Sequence, residues 1–252
     1  MLLLDDEGEM GGPTYTTYLR SMDGSPPVRL GQGSGCALSP DGRWALAINY
    51  SPPHRLVQIP TGTGDTLALP RGAVETYESA SWLPDGRRII FVGAERGRPQ
   101  RTWVQELPAG LPSPVTPEGT IGSALASQPM PPVTSPDGRW VVAVAPDSTL
   151  MLFPLHGGEP RSLARLAHWE AAIQWSTDGR TLLVGCRGEG GIRYDVFGID
   201  VQSGRRQLWK TLVVPDPAGV QASKFLVTRD ERSYAYVYLR TLDELYLVEG
   251  LK

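Results

Sequence analysis

Ser39-Pro40-Asp41-Gly42-Arg43-Trp44-Ala45-Leu46-Ala47-Ile48 decides the fold, because versions of it return along the chain. They stand at Leu83–Val92, Ser135–Val144 and Ser176–Gly185 and, in degenerate form, at Thr228–Val237. In each copy a short apolar run leads into Asp-Gly and a second apolar run leads out, which is the signal of a β-hairpin. Asp tolerates and Gly prefers the positive φ of a tight turn between twisted strands. The turn aspartates Asp41, Asp85, Asp137, Asp178 and Asp230 are spaced 44, 52, 41 and 52 residues apart. Roughly 40–50 residues is the period of a four-stranded propeller blade.

Working outward from the aspartate, Cys36, Ala80, Pro132, Ile173 and Phe225 align five residues before it, and Leu38, Trp82, Thr134, Trp175 and Val227 three before. The strand entering the turn is therefore mostly apolar on one face. Its other face, Ala37, Ser81, Val133, Gln174 and Leu226, is small or apolar in four of five copies, as a strand packed between neighbouring blades requires. After the turn come Ala45–Ile48, Ile89–Val92, Val141–Val144 and Leu182–Val184. Continuous apolar runs of this kind suit strands buried on both sides.

The chain has 252 residues, 29 of them Gly and 23 Pro, and the Pro-rich pieces fall between strand signals. No stretch shows apolar residues at helical spacing over three turns. The expectation is one all-β domain over 1–252, a six-bladed β-propeller of four-stranded antiparallel blades with the first and last incomplete. The blades fall at about 1–33, 34–72, 73–119, 120–167, 168–213 and 214–252. The first lacks its innermost strand, because no Asp-Gly hairpin precedes Met1. The last lacks its outermost, after Glu244–Val248. Thr120–Pro131 reads as a long connection. Unpaired blade edges invite pairing with a second copy.

A net charge of −3 with interspersed signs gives no footprint for nucleic acid. The longest apolar runs are four to six residues, so no membrane span is expected, and Met1–Leu4 followed at once by Asp5, Asp6 and Glu7 does not read as a signal peptide. Cys36 and Cys186 fall in distant blades and read as small buried hydrophobes rather than a disulfide.

Candidate chemistry is sparse. Asp5, Asp6, Glu7 and Glu9 lack the spacing of an EF-hand loop and read as an exposed acidic hairpin. His54, His156 and His168 occupy non-equivalent connections without metal-ligand spacing. There is no Gly-x-Ser-x-Gly elbow, and the Gly-rich stretches Gly31–Gly35 and Thr61–Gly64 do not open a helix that could hold a phosphate. The arginines after each turn, Arg43, Arg87, Arg139, Arg180 and Arg232, read as locally paired or solvated. No catalytic residue, metal or cofactor is expected. The ligand- or partner-binding candidates are Tyr77 and Glu78 ahead of one inner strand and His168, Trp169 and Glu170 ahead of another, where a propeller opens into its central channel.

The Ser-Pro-Asp-Gly-Arg hairpin at this period resembles the TolB-like β-propeller repeats, relatives of WD-type repeats without the Trp-Asp dipeptide. More narrowly, Leu4–Glu9 with Gly11-Gly12-Pro13, Tyr18–Gly31, and Ser233–Tyr236 with Asp243–Lys252 resemble the C-terminal propeller of bacterial serine/threonine protein kinases. That resemblance implies a sensor or docking role, outside the membrane in an anchored kinase and cytoplasmic in an isolated chain. The chain carries no glycine-rich nucleotide loop, His-Arg-Asp or Asp-Phe-Gly, so kinase activity does not carry over. The expectation is a non-catalytic module binding a protein, a peptide or a small ligand. The alternative is an accessory propeller of a prolyl-oligopeptidase-type hydrolase without its catalytic domain.

Overall fold

The computed structural model describes residues 2–8, 12–21, 23–121, 123–125, 128–168, 170–188, 193–213, 220–228 and 231–240. Its strands form seven antiparallel sheets in chain order. The first has three strands, β1 (Leu2–Gly8), β2 (Gly12–Arg20) and β3 (Val28–Gln32). Four-stranded sheets follow. The second is β4 (Ser34–Leu38), β5 (Trp44–Asn49), β6 (Arg55–Pro60) and β7 (Leu67–Ala68), and the third is β8 (Val74–Trp82), β9 (Arg88–Glu95), β10 (Arg101–Glu106) and β11 (Ser113–Pro114). After a hairpin, β12 (Ser123–Leu125) with β13 (Gln128–Met130), comes the fourth set, β14 (Val133–Thr134), β15 (Trp140–Val144), β16 (Thr149–Pro154) and β17 (Arg161–Arg165). The fifth is β18 (Glu170–Trp175), β19 (Thr181–Arg187), β20 (Arg193–Asp200) and β21 (Arg206–Val213), and β22 (Val220–Val227) pairs with β23 (Tyr234–Arg240) at the end.

This corrects the expectation of six blades: the propeller has four complete four-stranded blades among the described residues. The reason is that a blade of four strands forms only where an Asp-Gly hairpin is followed by two further strands. In the first sheet the Asp23-Gly24 turn is followed by β3 alone, and in the last pair nothing beyond the hairpin is among the described residues. The strand expected at Glu244–Val248 lies outside the described residues. So does the side-chain arrangement of Asp5, Asp6, Glu7 and Glu9.

Each Asp-Gly turn is locked by its own side chains. In the second sheet the Ser39 hydroxyl donates to Asp41 Oδ1 at 2.6 Å and accepts the Trp44 amide at 2.9 Å, while Asp41 Oδ1 accepts the Arg43 amide at 3.0 Å. Ser135, Asp137, Arg139 and Trp140 repeat this arrangement, as do Ser176, Asp178, Arg180 and Thr181. The third sheet has Leu83 in place of the serine. There Asp85 instead accepts the Arg87 and Arg88 amides and pairs with the Arg88 guanidinium at 2.7 Å.

The turns also contact one another from sheet to sheet. A Cβ on Gly86 would stand 3.9 Å from Pro40, one on Gly138 3.9 Å from Pro84, and one on Gly179 3.8 Å from Pro136. The turns thus share one face of the molecule, and the strands that run into them begin on the opposite face. These glycines hold φ between 66° and 70°, a region that costs an L-residue roughly 1–2 kcal/mol. The degenerate copy keeps the geometry without glycine: Glu231 sits at φ 58°.

Between the turns, burial is as continuous as the runs suggest. Ala45–Ile48, Ile89–Val92, Val141–Val144 and Leu182–Val184 are all buried. The core lies between sheets. Trp82 packs with Leu46, Phe91 and Trp44 between the second and third sheets, and Trp175 packs with Val142, Leu182 and Trp140 between the fourth and fifth. Among the described residues the indole N–H groups of Trp82 and Trp175 are buried without a partner. The two cysteines form no disulfide with each other, and both are half-buried rather than enclosed.

Ser135 is buried, and Ser135→Ala leaves the Trp140 amide without its acceptor, so chemical denaturation should show a loss of about 1–2 kcal/mol. Gly138→Ala should cost about 1–2 kcal/mol, and Glu231→Gly should gain about 1 kcal/mol. Hydrogen bonds from the serine hydroxyl and from the amide two residues on hold Asp41 and Asp178 below their ordinary pKa; in Asp137 the same bonds outweigh burial. A carboxylate whose pKa is lowered by folding stabilises the fold above its unfolded value and loses that contribution as pH falls. Thermal unfolding should therefore hold steady above pH 5 and fall progressively below about pH 4.

Candidate functional site

The face opposite the turns carries the starts of the inner strands, and with them the residues nominated from the sequence. The inner strand of the fourth sheet is interrupted there. Val133 and Thr134 pair with Val142 and Val141, but the next contact on that edge of β15 is Ile121, which exchanges backbone hydrogen bonds with Val144 at 2.8 and 3.0 Å. Between Ile121 and Val133 the chain leaves the sheet and builds β12 and β13, with Ser123 opposite Met130 and Leu125 opposite Gln128. β12 lies against β15 and β18, and β13 lies against β8. What reads in sequence as a plain connection is thus a hairpin inserted at the mouth of the inner strands, between the two nominated groups.

Tyr77 and Glu78 stand on β8 at one side of this hairpin. Tyr77 pairs with Gly93 and Ser79 with Val92, which leaves Glu78 as the extra residue of a β-bulge. A bulge re-aims its side chain out of the ladder. Bulges also interrupt β4 at Cys36 and β18 at Ile173, two residues nearer the turn than Glu78. Tyr77 is buried, its ring centroid 5.3 Å from that of Phe91, and burial pushes its pKa up to about 12. Glu78 is exposed at the rim, although its carboxyl is sufficiently desolvated to raise its pKa. The Gln100 amide donates to both carboxylate oxygens, at 2.8 Å to Oε2.

On the other side, His168 is exposed and Trp169 lies outside the described residues. Glu170 is buried and already committed. Its Oε2 accepts the Ala167 amide at 2.7 Å and Arg206 Nη1 at 3.0 Å, and its Oε1 pairs with Arg206 Nη2. The Arg206 guanidinium lies 3.7 Å from the centroid of the Phe197 ring. Burial pushes the Glu170 carboxyl up, but the Arg206 and Ala167 bonds outweigh it and hold the pKa below its usual value. Cys186 stands opposite Glu170 in the ladder, and burial, reinforced by that carboxylate, raises its thiol pKa. The structure therefore places the described nominated residues, Tyr77, Glu78, His168 and Glu170, on one face but in two groups, of which Glu170 serves the fold.

Charged residues that the sequence did not single out secure the connection into the hairpin. Arg101 donates to Glu95 at 3.0 Å and covers the Trp103 ring at 4.5 Å, and Arg98 reaches Glu118 at 2.9 Å. Thr116 accepts both the Thr102 amide at 2.9 Å and the Thr120 hydroxyl at 2.6 Å. Together they fix residues 116–120 on the third sheet immediately before Ile121 joins the fourth. Among the described residues no group of three or more His, Cys, Asp or Glu could hold a metal, and no helix is long and apolar enough to cross a membrane.

Comparison with solved structures finds TolB from Acinetobacter baumannii at a TM-score of 0.64 and 15% identity, over 90% of this chain and 61% of that one. The chain has a TolB-like β-propeller fold. A second TolB-type structure, from Agrobacterium tumefaciens, superposes at 0.61 with 14% identity over 85% of this chain and 74% of that one. An oligogalacturonate lyase solved with manganese superposes at 0.60 with 16% identity over 86% and 62%. This TolB-like chain spans about six-tenths of the length of the Acinetobacter protein. No family model and no curated protein sequence matches it.

Arg206→Met should strand a buried carboxylate, costing about 2 kcal/mol at neutral pH; a fully enclosed pair would cost more, and Arg206 retains 34% exposure. Without its arginine, Glu170 is dominated by burial and its pKa rises. The deficit measured by urea denaturation should then shrink as pH falls towards 5, because protonation relieves the stranded charge.

Proposed function

We infer that this TolB-like propeller is a non-catalytic interaction module that docks a protein or peptide partner on the face where its inner strands begin. The observation that carries this reading is the β12–β13 hairpin, set into an interrupted inner strand and lying against both β8 and β18. Such an insertion adds nothing to the ladder it interrupts, whereas it adds a second layer of backbone at the channel mouth, where a ring of blades concentrates its loops. Glu78, turned outward by its bulge and bonded to Gln100, supplies a polar flank. His168 supplies the other. Glu170 is consumed by Arg206 and supports the site from beneath. The resemblance of the terminal stretches to the propellers of bacterial receptor-type serine/threonine kinases gives this docking role a sensory setting.

A photo-crosslinking residue at Gln128 and, as a control, at Arg180 on the turn face distinguishes the two faces. The Gln128 probe should give one discrete adduct in extract of the source cells, competed by excess unmodified chain, and the Arg180 probe should not. Replacing residues 122–132 by a short linker should abolish the adduct made from a second probe at His168 while leaving thermal unfolding cooperative. Equal labelling from both faces, or adducts indifferent to the deletion, would overturn the assignment.

A further inference from the structure

The outermost strands of the complete blades are unequal. β7 and β11 have two residues each and β17 has five, whereas β21 runs for eight. It pairs with β20 from Arg206 opposite Ile199 to Val213 opposite Arg193. A strand turns the backbone groups of alternate residues to one neighbour, so half of those on β21 point away from β20. Among the described residues no backbone group from 206 to 213 is hydrogen-bonded outside this sheet. On the same open edge Leu208 and Val213 are 51% and 58% exposed.

Natural sheets blunt an edge of this kind with a lysine that projects past it or a bulge that twists it away. β21 carries both, and both are engaged elsewhere. The Lys210 ammonium stands 5.9 Å from the centroid of the Trp209 ring and 5.0 Å from that of Tyr234, which opens β23 in the next sheet. Trp209 is the extra residue of the bulge, and it packs against Leu183, Tyr194, Val196 and Leu212. Pairing continues on both sides of it, with Leu208 opposite Phe197 and Lys210 opposite Val196. The edge is therefore long, continuous and unguarded.

Its charge is one-sided. Residues 201–213 include Arg205, Arg206 and Lys210 and no Asp or Glu. The carboxylates around the strand are already committed: Glu170 holds Arg206, Asp195 holds Arg193 and the Thr211 hydroxyl, and Asp200 holds the Ser203 amide and hydroxyl. A second copy of the chain would bring the same cations to both sides of the joint, where like charges repel. An anionic strand would meet complementary charge instead.

We propose that β21 is a strand-addition site, at which an extended, acidic segment of a partner protein pairs as a fifth strand of this sheet. Main-chain hydrogen bonds would supply affinity, apolar residues of the segment would cover Leu208 and Val213, and its carboxylates would meet Arg205 and Lys210. The site lies on the outermost strand of its blade and is independent of the docking role assigned to the hairpin.

The probe is a capped eight-residue peptide alternating glutamate with valine, titrated calorimetrically into the intact chain at low salt. It should bind saturably with a midpoint of about 0.1 mM. The same peptide with lysine for glutamate should bind at least about 10-fold more weakly, and Lys210→Glu should weaken the acidic peptide at least about 5-fold. Thermal unfolding of Lys210→Glu should stay cooperative, which separates lost binding from lost folding. N-methylating alternate amides of the peptide should abolish binding for one set and spare it for the other, because only one set faces β21. No binding of the acidic peptide, equal binding of the acidic and basic peptides, or indifference to which amides are methylated would overturn the proposal. A dimer that protects the amides of residues 207–213 from hydrogen exchange without any peptide would place a second copy on the edge and overturn it as well.

Discussion

The propeller depends on a hydrogen-bonding arrangement no larger than one turn. A serine hydroxyl gives its proton to the turn aspartate and takes the amide of the residue that begins the next strand, while the aspartate takes the amide between them. The turn is thereby closed by side chains before any strand pairing is added. The glycine beside the aspartate then lets the following blade's turn come to rest against the preceding proline. A local bond pattern and a contact between neighbours are thus made by the same few residues. The direction of each inner strand, and hence which ends of those strands lie together, follows from this.

The opposite end of the strands is free of that constraint, and the structure uses the freedom unevenly. The bulge at Glu78 lifts one carboxylate out of the ladder, whereas Glu170, also near the start of an inner strand, is drawn inward by a guanidinium from the outermost strand of its sheet. The contrast is one of partners rather than residue type. Glu170 meets a cation and an amide in a desolvated place and becomes part of the support, while Glu78 meets only an amide side chain at the rim and stays available.

Much of this architecture was legible in sequence, because the repeat combines a turn signal with two buried runs at a fixed distance. The second and third strands of the complete blades, such as Trp44–Asn49 with Arg55–Pro60 and Trp140–Val144 with Thr149–Pro154, follow directly. The number of complete blades did not, since a period counts hairpins and is silent on whether two more strands pair behind each. The inserted hairpin was hidden for a related reason: Ser123–Leu125 and Gln128–Met130 are short, lack Asp-Gly and include a proline, so nothing marks them as strands. The Glu170–Arg206 pair could not be read at all. Its members are 36 residues apart and stand on opposite edge strands of one sheet, so no local pattern brings them together. Tyr77, nominated as lying ahead of an inner strand, stands within that strand and is buried, because β8 begins at Val74.

The interruption of the fourth sheet has an evolutionary side. The chain departs at Ile121 and returns at Val133 to nearby rungs of the same strand, so the intervening segment is anchored at both ends by pairing that does not depend on what lies between. Changes of length or sequence there leave the β14–β15 pairing and the Ile121–Val144 bonds in place and alter only what β12 and β13 touch. Such a position works as an exchangeable cassette, able to acquire a new recognition loop in one lineage and lose it in another. It is also the natural place to graft a foreign binding segment onto this scaffold.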